Sequence, residues 1–221
     1  MHFEVLVEDT SGAIILEAFL EKILGPNGQQ HTYRIHPYKG IGRLPKNLRG
    51  KADPARRILL EQLPRILRGY GRSLQCGDAA VIVVIDLDDN VCTAFKEDLV
   101  AILNSCDPKP NTLFRIAIEE MESWLLGDMD AVKKAYPKAK DKVLESYVQD
   151  SICGTWEKLA DAIYDGGSLK LKSLGWPHIG QAKYNWAKKI SPKVDVDKNV
   201  SKSFQVFREG LLRLTKHPLL S

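Results

Sequence analysis

The stretch AAVIVVIDLDDN, Ala79 to Asn90, decides the fold. It opens as a continuous apolar, β-branched run and closes on Asp86, Asp88 and Asp89. A run of this kind predicts a strand buried on both faces, as in parallel sheets covered by helices. In such sheets the ligand site lies beyond the carboxyl ends of the strands. The aspartates stand where a site is expected.

Outward from this strand, the pattern repeats. FEVLVE (3–8) predicts a first strand ending in Glu8, followed by DTSG turn chemistry and a helix over AIILEAFLEKIL (13–24) closed by Gly25-Pro26. QHTYRIHPY (30–38) predicts a second strand, KGIGRLPKNLRGKADP (39–54) a loop, and PARRILLEQLPRILRGYG (54–71) an amphipathic helix with Pro64 as the place for a kink. After the third strand come a helix over 91–106, a fourth strand NTLFRIAI (111–118) and a short helix in EEMESWLLGD (119–128). Strand and helix alternate four times in residues 1–128, which predicts an α/β domain with a parallel four-stranded sheet and helices on both faces. Residues 129–221 contain no convincing strand; segments 129–150, 155–166, 179–190 and 199–216 predict an all-helical portion packed on that domain.

Composition excludes several classes. The chain has 221 residues, 44% apolar, and no apolar run of membrane-spanning length. Its start, MHFEVLVEDT, has no basic leader pattern and predicts a strand. Cys76, Cys92, Cys106 and Cys153 form no CxxC pair, which argues against a zinc ribbon and for free thiols in a reducing cytoplasm. GIGRLP is no P-loop, Ser11 lies in no nucleophile elbow, and His36, His178 and His217 have no partner at ligand spacing. DLDDN approaches a haloacid-dehalogenase motif, but Asn90 stands in place of Thr or Val, and the strand is the third rather than the first.

The net charge of +4 hides a strong polarity. From His31 to Arg72 there are eleven Lys and Arg against Asp53 and Glu61, whereas from Asp78 to Asp130 there are twelve acids against Lys96, Lys109 and Arg115. A basic binding face beside an acidic site is the expectation. Lys39, Arg43, Lys46, Arg49, Lys51, Arg56 and Arg57, joined by Lys183 in the C-terminal portion, are the expected contacts to a nucleic-acid backbone. On the acidic side, Glu8 ends strand one, Asp86 and Asp88 end strand three, and Glu119, Glu120 and Glu122 follow strand four. Asp86 and Asp88 point the same way if the backbone stays extended. Carboxylates so gathered repel one another unless a divalent cation lies between them, and magnesium, which keeps several waters, needs only one to three. Glu119 and Glu122, three apart, are expected on one helix face, with Trp124, Leu125 and Leu126 in the core.

A glutamate after the first strand and Asp86-Leu87-Asp88 after the third resemble the Toprim fold, found in topoisomerases, primases, recombination mediators and nucleases. That resemblance implies acid/base or metal duty for Glu8 and magnesium or manganese binding by Asp86 and Asp88. VEDTSGAIILEAFL, IAIEEMESWLLGD, GQAKYNWAKKI and SKSFQVFREGLLRL are further similar to a Toprim-related bacterial group called domain of unknown function 4276, whose members often stand beside ATPases in defence neighbourhoods. The Glu122–Asp128 run is the most specific part. The group's first motif reads V-E-G-x-[ST]-E; here Asp9 replaces the glycine and Gly12 the second acid. The expectation is a metal-dependent nuclease acting on DNA or RNA. Glu8, Asp86, Asp88 and Glu119 would hold the ion, Glu8 and Glu122 would serve catalysis, and an ATPase would be the partner. The alternative is a non-catalytic subunit that binds nucleic acid or that ATPase.

Overall fold

The computed structural model describes residues 1–45, 56–75, 77–88 and 90–216. Four strands, β1 (His2–Val7), β2 (Thr32–Pro37), β3 (Ala79–Asp86) and β4 (Thr112–Ala117), form one sheet in the order β2-β1-β3-β4. All three pairings are parallel. β1 and β3 occupy the centre, and they are the two strands whose ends carry Glu8 and Asp86.

Alternation along β3 explains the two-sided burial. Ala80, Ile82 and Val84 face one apolar cluster, and Val81, Val83 and Ile85 face the other. The second cluster is covered by α2 (Leu59–Ser73) and α3 (Cys92–Asn104) through Leu59, Leu63, Leu67, Phe95 and Leu99. Pro64 lies inside α2, which runs through it. The first cluster is covered by α1 (Thr10–Leu24) and by the C-terminal helices. Asp9 caps α1 by accepting from the Gly12 N–H at 2.7 Å, and Gly25, at φ 84°, ends it in the left-handed region that glycine tolerates.

The chain continues through α4 (Glu122–Leu126), α5 (Met129–Ala135), α6 (Asp141–Glu145), α7 (Thr155–Ile163), α8 (Gly167–Leu174), α9 (Trp176–Ile190), a 3-10 turn (Ser191–Lys193) and α10 (Lys202–Lys216). The single helix expected over 129–150 is two short ones, separated around Pro137. Helix α8 was not expected: GSLKLKSL lies between glycines, and its Leu169 is exposed, so its apolar stripe is faint. No strand occurs beyond β4 among the described residues. Trp124, Phe204 and Phe207, all fully buried, pack with Phe19 of α1, and the Trp124 indole N–H donates to Ser203 Oγ at 2.8 Å. Lys22 of α1 donates to the carbonyls of Ser191, Pro192 and Val194. The C-terminal helices therefore share one core with the sheet. No described helix is long and apolar enough to cross a membrane.

Because Phe204 joins α10 to α1 and α4, Phe204→Ala is expected to cost about 3 to 5 kcal/mol of unfolding free energy in a urea titration. A loss under about 1 kcal/mol would show that α10 is not part of the cooperative core.

Candidate active site

Val7 pairs with Val84 across β1 and β3. Glu8 therefore lies level with Ile85, one residue short of Asp86. Strand spacing and rise place the Glu8 and Asp86 Cα atoms about 6 Å apart. Residues eighty positions apart in the chain thus meet at the carboxyl edge of the sheet, beside the crossover between its two central strands.

The loop after β2 folds over Glu8. The Gly40 N–H donates to the Glu8 carbonyl at 3.0 Å, and the Ile41 N–H donates to the Glu8 carboxylate. Burial, with Asp88 and Asp9 nearby, pushes the Glu8 carboxyl up to about 7. Asp86 is raised well above the carboxylate range by burial, with Glu8 the largest neighbouring charge. Glu8 Oε2 and Asp86 Oδ1 are both shut off from solvent, with no hydrogen-bond partner among the described residues. Two buried acceptors without donors, on adjacent strands, are an arrangement that a cation would satisfy.

The opposite wall comes from the segment after β4 and from α9. Glu122, on the first turn of α4, is 2% exposed. Lys183 of α9 reaches between the acids, 3.4 Å from Glu120 Oε1 and 3.2 Å from Glu122 Oε2. Burial pushes the Glu120 carboxyl up to about 8, with Glu122 adding repulsion and Lys183 opposing it. Glu122 is raised for the same first reason. Burial alone would lower the Lys183 ammonium; Glu122, Glu120, Asp86 and Asp9 hold it above its ordinary value. One lysine thus answers several carboxylates, and some protons must be shared among them at neutral pH.

Three placements differ from the expectations. Glu119 turns away: its carboxylate accepts from the amides of Cys153, Gly154 and Thr155 and from the Thr155 hydroxyl, which caps α7. These hydrogen bonds outweigh burial and hold Glu119 below the usual range. The helix begins only at Glu122, and Glu119 has φ 59°, so the three-residue helical spacing does not apply to it. Glu120, not assigned to the site from the sequence, takes the inward place. Lys183, expected at a nucleic-acid backbone, is instead buried among acids. At Asp88 the strand has ended: φ is 47°, and its N–H donates to the Glu119 carbonyl at 3.1 Å. Alternation therefore does not pair Asp88 with Asp86, yet Asp88 remains the largest charge acting on Glu8.

Lys39, Arg43, Arg56 and Arg57 are exposed. Lys39 and Arg57 sit together next to the loop over Glu8, through Lys39 N–H to Arg57 C=O at 2.8 Å. Lys46, Arg49 and Lys51 lie outside the described residues, as do Cys76, Asp89 and His217. Among the described residues no three His, Cys, Asp or Glu are arranged to hold a metal ion. Glu8 and Asp86 are the two carboxylates that would hold a magnesium ion, an ion that needs few protein ligands. Gly12 leaves no room for the second acid of the related motif: a Cβ there would lie 2.8 Å from Val7 Cγ2 and 3.0 Å from Met121 Sδ.

A carboxyl raised in the folded state contributes stability that is full below its unfolded pKa and is lost as pH rises through the folded value. For Glu8 that window runs from about 4.5 to about 7. In chelator, Glu8→Gln is expected to gain on the parent by roughly 2 to 3 kcal/mol between pH 5 and pH 8. A difference between variant and parent that does not change with pH would show that Glu8 is not so perturbed.

No curated protein and no solved structure matches this chain. The profile of the family described as a domain of unknown function, DUF4276, matches residues 7–212, a span that takes in Glu8, Asp86, Glu120, Glu122 and Lys183. The chain belongs to the DUF4276 family.

Proposed function

We propose that this chain is a Toprim-like, magnesium- or manganese-dependent nuclease that hydrolyses phosphodiester bonds in DNA or RNA. One observation carries the reading: Glu8 Oε2 and Asp86 Oδ1 are buried and without donors at the carboxyl edge of the central strands. Glu8 and Asp86 would hold the ion, with Asp88 close to Glu8. When bound, the ion supplies Lewis-acid polarisation of a phosphoryl oxygen and a more acidic water.

The remaining work falls to side chains. With the ion bound Glu8 would be ionised, and its oxygen free of the ion would accept a proton from an attacking water. The Lys183 ammonium offers charge to a non-bridging phosphate oxygen, and Glu122 and Glu120 fix its position. Exposed Lys39 and Arg57, next to the loop over Glu8, suit the flanking backbone, and Arg43 and Arg56 are exposed as well. Work as a defence effector with a partner ATPase is supported by the family resemblance alone.

A second reading, a non-catalytic subunit binding nucleic acid or an ATPase, is favoured by the same lysine. Lys183 already neutralises Glu120 and Glu122, and no three-ligand group is arranged among the described residues.

Incubation of the purified chain with single- and double-stranded DNA and RNA and either metal is expected to yield cleavage. Glu8→Gln and Asp86→Asn should each lower it by about 100-fold or more. Cleavage that survives both changes would refute this site. Calorimetric titration with magnesium should show affinity falling from pH 8 to pH 6, with protons released on binding, because the ion needs carboxylates that are partly protonated there. Metal binding without cleavage would favour the second reading.

A further inference from the structure

The sheet has two outer strands, and the described residues finish them differently. On β2, Tyr33 faces outward, and Asn27 completes both of its backbone hydrogen bonds: the Tyr33 N–H donates to Asn27 Oδ1 and the Tyr33 carbonyl accepts from Asn27 Nδ2, each at 2.9 Å. One side chain thus stands in for a neighbouring strand.

On β4 the cover is thinner. The Val81 N–H donates to the Asn111 carbonyl and the Leu87 N–H to the Ala117 carbonyl, so odd-numbered positions face β3. By the parallel ladder, Phe114 and Ile116 turn their N–H and C=O groups to the open side. Arg115 Nη1 donates to the Phe114 carbonyl at 2.6 Å. No strand lies on that side among the described residues. Open edges of this kind invite another strand, and arginine or lysine is a usual guard.

A groove of about 270 Å³ runs along this edge, between the first turn of α3 and the first turns of α10. Its two sides differ in chemistry. Toward α3, alternate positions Phe114, Ile116 and Ile118 form an apolar row. Toward α10 stand Arg115 and Lys202, and Lys96 rims the α3 side. The acid in the groove, Asp150, already accepts from the hydroxyls of Ser201 and Ser203 and from the Ser203 amide. Asp150 keeps its charge, but Lys96, Arg115 and Lys202 outnumber it, so the lining is net positive. A strand added here would place alternate side chains on the apolar row and the others against the cations.

We propose that this groove binds an extended segment of a partner protein, with alternating apolar and acidic residues, which joins the sheet as a fifth strand beside β4. Backbone pairing with the Phe114 N–H and with Ile116 supplies adhesion, the apolar row selects one set of side chains, Arg115 and Lys202 select acids in the other, and Lys96 adds positive charge at the α3 rim. The groove is separate from the Glu8–Asp86 site and does not depend on any activity there.

The test uses the whole chain with a fluorescent, capped peptide of three Glu-Val repeats, its Lys-Val counterpart, and a Glu-Val peptide broken by a central proline. Saturable binding of the Glu-Val peptide is expected with a dissociation constant below about 1 mM, and the Lys-Val and proline peptides should bind at least about tenfold more weakly. The double variant Lys96→Glu, Lys202→Glu changes two exposed helix positions and should weaken the Glu-Val peptide by about tenfold or more. Amide exchange should slow at Phe114 and Ile116 on binding. Equal binding of all three peptides, binding of none, or protection elsewhere would overturn the proposal. So would slow exchange at these amides without peptide together with concentration-dependent dimerisation, which would assign the edge to a second copy of this chain.

Discussion

The ion pairs that Lys183 makes with Glu120 and Glu122 hold the site together. A buried ammonium is costly unless carboxylates answer it, and buried carboxylates are costly unless a cation answers them. Lys183 comes from α9, deep in the helical portion, whereas Glu120 and Glu122 follow the last strand of the sheet. The pairing therefore fastens the two parts at the edge where the parallel strands end. Without it, four or more carboxyl groups would face one another in a poorly hydrated space.

Even with the lysine the charges do not balance. Glu8 and Asp86 remain raised, each with an oxygen lacking any donor. The site is under electrostatic tension, and the tension is uneven. The Glu120–Glu122 side is satisfied by a side chain of the protein. On the Glu8–Asp86 side the Ile41 N–H serves the Glu8 carboxylate, yet Glu8 Oε2 and Asp86 Oδ1 find no donor among the described residues.

Much of the fold was legible because burial wrote it in apolar periodicity. VIVVI has no polar face and can only be a central strand, and β3 begins and ends where the sequence predicts. The meeting of Glu8 and Asp86 at one edge was legible because strand ends converge in a parallel sheet. Helix α8 was not, because its stripe is weak and glycines flank it. Lys183 and Glu119 were misplaced for one shared reason. Their positions depend on contacts across the chain, with Glu120 and Glu122 in one case and the α7 amides in the other, and residue type carries no trace of such partners. Glu120 had one faint signal: it lies beside Glu119, and a left-handed residue at 119 rotates which of the two looks inward.

Gly12 has a consequence for how this site can change over time. Position 12 is closed to any side chain while Val7 and Met121 keep their places. An acid cannot be gained there by a single substitution without displacing the thioether of Met121. Relief at 121 alone would not suffice, because Val7 Cγ2 lies closer still, at 2.8 Å. An additional carboxylate at this position of α1 therefore requires the side chains of both β1 and the segment before α4 to give way.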